Sequence, residues 1–81
     1  MNETRPDWLK IAAEMTSFRQ MYRLADEIAG SDSATAVERR AAKRVVGTLR
    51  EVIDAPIADA ATLAKARKRF GRLVKSLQMA A

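Results

Sequence analysis

Apolar residues recur at spacings of three and four along nearly the whole chain, and the rhythm breaks at two places. That spacing is the period of the α-helix, and it is incompatible with the strict alternation of a half-buried strand. In the first stretch, Trp8, Ile11, Met15, Phe18, Tyr22, Ala25 and Ala29 form a heptad-like seam. Pro6 suits a first helical position, because its missing N–H would have no partner there anyway. Thr4 or Arg5 would precede it, and Asp7 favours the positive end of the helix dipole. Gly30 is placed to end the helix in the left-handed conformation. A first helix over about 6–29 is predicted.

Ser31, Asp32 and Ser33 then form a turn, and Thr35 with Glu38 fits a capping box. A second helix over about 33–53 carries a wide apolar arc that includes Val37, Ala42, Val45, Leu49 and Ile53, which predicts contact with two neighbours. Asp54-Ala-Pro56-Ile-Ala-Asp59 breaks the rhythm, since the residue before a proline is steered out of helical geometry. Asp59 is a suitable N-cap for a third helix over about 59–78, with Leu63, Ala66, Phe70, Leu73, Val74 and Leu77 as its stripe. Short connections between three seams predict an all-α, up-down-up three-helix bundle, a single domain over 1–81.

Size makes that bundle marginal. Of the 39 apolar residues among 81, 16 are alanine, which leaves 23 large side chains. Close packing of Ala-rich helices would offset the shortfall, as would a homodimer, which is the expected assembly. Met21, Leu24 and Ile28 lie off the first seam and widen its apolar arc to about half the circumference. Either that half-helix is wedged between the other two, or these three residues are a self-association or partner surface, for which methionine is well suited.

Catalysis is not expected. With no histidine and no cysteine, the chain lacks the commonest general base, the best nucleophile and most transition-metal ligands. Its three glycines stand singly at 30, 47 and 71, so no phosphate-cradling loop is encoded. No catalytic residue, metal ligand or cofactor site is assigned. The first residues lack the apolar region of a secretory signal, and no run of 18 apolar residues occurs, so a cytoplasmic protein without a transmembrane segment is expected.

The charge is distributed unevenly. The formal net charge is +5, and residues 55–81, with six basic groups and one acidic group, carry an excess equal to all of it. Lys65, Lys68, Arg69, Arg72 and Lys75 share one arc of the third helix, opposite its apolar stripe. Like charges at i,i+4 cost a few tenths of a kcal/mol each, which an anionic partner would relieve. Arg39, Arg40 and Lys43, with Arg44 and Arg50, add a second basic arc on the middle helix, there interspersed with acidic residues. An ordinary solvated, solubilising face is the plain alternative for the arc on the third helix.

A small non-enzymatic protein that docks on an acidic protein surface, as a regulator or inhibitor, is the leading functional expectation. The Ala and Arg bias suits a GC-rich genome, and an accessory factor of a phage or plasmid fits it. The alternative is a nucleic-acid-binding protein using the basic faces of the second and third helices. Peripheral membrane binding by the basic amphipathic segment 60–78 is a third option. A helix-turn-helix is disfavoured, because Gly47 and Gly71 interrupt apolar-periodic segments without turn chemistry around them.

Overall fold

A computed structural model describes residues 6–55, 57 and 59–80 of the chain. The expected roles of Thr4, Arg5 and Pro56 lie outside the described residues. The described residues form helices joined by short connections and no strand, with four helices where three were expected: α1 (Trp8–Ala13), α2 (Phe18–Ala29), α3 (Ala36–Asp54) and α4 (Ala60–Ala80).

The extra break divides the first predicted helix. Ser17 is extended, with φ −134° and ψ 156°, and its hydroxyl accepts the Gln20 amide at 3.2 Å. The Gln20 side-chain oxygen reaches back to the amides of Ser17 at 3.1 Å and Thr16 at 2.7 Å. This is a complete capping box, and it satisfies backbone donors that a continuous helix would have bonded internally. Upstream, the Asp7 carboxylate caps α1 through the Lys10 amide at 3.2 Å, so Pro6 lies ahead of the helix rather than in its first turn.

The break changes the apolar phase of the segment. The buried residues of α2 are Leu24, Ala25 and Ile28, with Met21 half-buried against them, while Phe18, Tyr22 and Ala29 flank that stripe and Ile11 is left 41% exposed. The continuous seam from Trp8 to Ala29 therefore does not form. Of the three residues Met21, Leu24 and Ile28 offered as a self-association surface or an internal wedge, Leu24 and Ile28 are buried inside the chain and Met21 is half-buried. Gly30 also departs from expectation. Its φ of −101° is right-handed, and it closes α2 by donating to the Asp26 carbonyl at 3.2 Å.

The capping box of α3 forms as its sequence predicts. The Thr35 hydroxyl accepts the Glu38 amide at 3.1 Å, and Glu38 Oε1 accepts the Thr35 amide at 2.8 Å. Asp59 accepts the Thr62 amide at 2.7 Å and so caps the start of α4. Hydrogen bonding from the Thr62 side chain, and then from its amide, holds the Asp59 carboxyl below its ordinary value of 3.8.

α3 is the central helix, with α2 and α4 each packed along it. The short α1 lies against both outer helices, and Trp8 fills the space between them at 2% exposure, its indole N–H donating to Glu27 Oε2 at 2.9 Å. Ala42, Val45 and Leu49 face this core from α3, and Ala66, Phe70, Leu73 and Leu77 face it from α4. Four of the twelve buried apolar residues are alanines, so closely approaching helices supply contact that a larger core would draw from bulkier side chains. Among the described residues, no helix is long and apolar enough to cross a membrane.

Candidate anion-binding groove

Antiparallel pairing of α3 and α4 determines which cations meet. Their solvent-side seam opens into a cavity of about 260 Å³, lined by Arg40, Ala41 and Arg44 of α3 and by Arg69, Arg72 and Ser76 of α4, with Val37 at one end. Four arginines line it and, among the described residues, no aspartate or glutamate does. The residue types follow from helical spacing. Arg40 and Arg44 are four apart on α3, while Arg69, Arg72 and Ser76 follow at three and four on α4.

One of these arginines is held from below. Thr48 is 3% exposed, and its hydroxyl donates to the Arg44 carbonyl one turn back at 3.0 Å. The same oxygen accepts Arg69 Nη1 at 2.8 Å across the helix pair. Arg69 is thereby anchored at one nitrogen, with its remaining donors uncommitted to Thr48. Ser76 is less constrained, since its hydroxyl donates to the Arg72 carbonyl at 3.1 Å and keeps its lone pairs.

Of the eight cations expected as a partner face, three line the groove. Arg40, Arg69 and Arg72 converge on the groove. Lys65, Lys68 and Lys75 are exposed on α4 outside the groove lining. Lys43 lies on the other side of α3, in a shallow depression with Asp26, Ala29, Gly30 and Val46. Arg39 is turned back on the α2–α3 connection, donating from Nη1 to the carbonyls of Ala34 at 2.7 Å and Ser31 at 3.3 Å. It serves to satisfy loop carbonyls.

The structure adds Arg44, Ser76 and Thr48 to the group. Arg44 was legible as a member of the basic arc, but its pairing with Arg72 depends on the α3–α4 register. Thr48 carries no signal of its own in the sequence, where it reads as a weakly helix-forming residue between Gly47 and Leu49.

A second arginine cluster has a different character. Arg19, Arg23 and Arg50 surround Tyr22, Ile53 and Asp54 where α2 meets the end of α3. Arg50 Nη2 donates to the Tyr22 hydroxyl at 3.3 Å, and this hydrogen bond is the main cause holding the Arg50 pKa above its usual value. Asp54 supplies a local counter-charge there, which the α3–α4 groove lacks. On the α4 side of α2, the Arg67 guanidinium stacks 5.6 Å from the Phe18 ring centroid and is occupied as a cation–π contact.

Comparison with protein-family models, curated proteins and solved structures finds no match to this chain.

Proposed function

We propose that the chain is a small non-enzymatic interaction protein that binds an acidic segment of a protein partner in the α3–α4 groove and regulates or blocks that partner by occupying it. The observation that carries this reading is that Arg40, Arg44, Arg69 and Arg72 line one cavity with no aspartate or glutamate beside them among the described residues. Guanidinium forks recognise oxyanions by paired hydrogen bonds as well as by charge, which gives geometric selectivity. Ala41 and the 59% exposed Val37 put apolar surface beside those forks, suited to the mixed side chains of a polypeptide. Lys65, Lys68 and Lys75 lie outside the groove and act at longer range, raising the rate of encounter with an acidic surface.

Nucleic acid is the reading this one displaces. A phosphodiester track calls for cations repeated along an extended surface, and single strands for aromatic stacking as well. The groove is short and has no aromatic residue in its lining.

Fluorescence anisotropy with a labelled Glu- and Ala-rich helical peptide, set beside a short duplex DNA at physiological salt, tests the choice. The peptide is expected to bind more tightly than the duplex. Arg44→Glu combined with Arg72→Glu is expected to weaken peptide binding by about tenfold or more, and Lys43→Glu by less than about twofold. Tighter binding of the duplex, or equal sensitivity to Lys43→Glu, would overturn the reading.

A further inference from the structure

We infer that the groove is a seat for a phosphomonoester, and that the segment it recognises carries a phosphorylated serine or threonine. The inference rests on the groove being the partner site, and it names the group that enters. Its first support is direction. Arg40 and Arg44 reach the cavity from α3, whereas Arg69 and Arg72 reach it from α4. A planar carboxylate offers two oxygens in one plane and satisfies one fork fully. A phosphoryl group offers three acceptor oxygens in a tetrahedral arrangement, so forks arriving from two helices can be received together.

The second support is charge density. Four arginines line a cavity of about 260 Å³. A phosphomonoester brings about −1.5 to −2 charges on a single centre at neutral pH, where a glutamate brings −1. The third is preparation of the site. The 3% exposed Thr48 hydroxyl fixes Arg69 at 2.8 Å and is itself tied to the Arg44 carbonyl at 3.0 Å. Arg69 is therefore oriented before any ligand arrives, which reduces the ordering that binding must impose. Thr48 is the positioning residue of the seat.

The ligand's own ionisation supplies a signature. The second pKa of a phosphomonoester lies near about 6, whereas glutamate titrates near about 4.3 and a phosphodiester stays ionised throughout. The lining residues are arginines, a serine, an alanine and a valine, and the chain contains no histidine.

Three labelled peptides test the inference. They share one Glu- and Ala-rich sequence and carry serine, glutamate or phosphoserine at a central position. The phosphoserine peptide is expected to bind about tenfold more tightly than the other two at neutral pH. That advantage is expected to shrink as the pH is lowered through about 6, while the glutamate peptide holds its affinity. Arg69→Lys retains the charge but loses the fork, and it should remove most of the phosphoserine advantage. Thr48→Val should do the same while leaving binding of the glutamate peptide within about twofold, with an unchanged helical circular dichroism spectrum showing that the variant is folded. Equal affinity for the phosphoserine and glutamate peptides would overturn the phosphomonoester seat and leave acidic-segment binding standing. Binding of duplex DNA in preference to all three peptides would overturn both.

Discussion

At the scale of single residues, two side chains set the local backbone and one sets the groove. Ser17 breaks the first predicted helix by accepting the Gln20 amide, with Gln20 reciprocating. Ser17→Ala removes that acceptor and is expected to destabilise the fold by about 1 kcal/mol, read from urea denaturation. Asp59 has the same role at α4, with a measurable pH signature. Its folded pKa is lowered by the hydrogen bonds from Thr62, so its contribution is complete above the ordinary value of 3.8 and is lost as the pH falls through the lower folded value. Amide exchange at Thr62 should accelerate in that acid window before the core amides respond, and Asp59→Asn should remove the dependence. Thr48 differs because its hydroxyl bridges two helices, and its replacement should be felt at Arg69 more than in global stability.

The same residues explain how much of each element could be read in advance. α3 and α4 were legible because caps and apolar period agree. Thr35 and Glu38 form the capping box that their spacing implies, and Asp59 caps where its chemistry suggests. The first segment was misread because period and cap conflict. The spacing of Trp8, Ile11, Met15, Phe18 and Tyr22 runs through residues 14–17 as if the helix continued, whereas the S-x-x-Q pattern at Ser17 and Gln20 marks a new start. The local hydrogen bonds prevail, and burial shifts to Leu24 and Ile28. The groove was half legible. Spacing placed the arginines on the outer faces of their helices, but the register of α3 against α4, which brings Thr48 to Arg69 and Arg44 beside Arg72, comes from packing. The two mid-helix glycines test this level directly. A Cβ at Gly47 or Gly71 would meet nothing within 4 Å, and neither residue has a positive φ. Gly47→Ala and Gly71→Ala are each expected to stabilise the chain by about 0.5–1 kcal/mol in thermal or urea unfolding.

At the scale of the whole molecule, the short α1 resolves the shortage of large apolar residues. By folding back across α2 and α4 it covers the core with Trp8, so closure is reached within one chain with extents of 45 × 22 × 18 Å. Leu49 and Leu73 are fully buried at the centre, and truncating either to alanine is expected to cost about 3 kcal/mol, a large part of the stability of so small a domain. Because Leu24 and Ile28 belong to that core, a homodimer would have to be built on another surface, and sedimentation against the 9.0 kDa of one chain tests for it. The proposed partner site is the α3–α4 groove, where four arginines line one cavity. Side-chain NMR of the arginine Nε–Hε groups during titration with the Glu- and Ala-rich peptide tests that most directly. The Arg40, Arg44, Arg69 and Arg72 signals are expected to shift together and saturate, with Arg19, Arg23 and Arg50 unmoved. Shifts centred on Arg19, Arg23 and Arg50, or no saturable shift at the four groove arginines, would contradict the groove as the binding site.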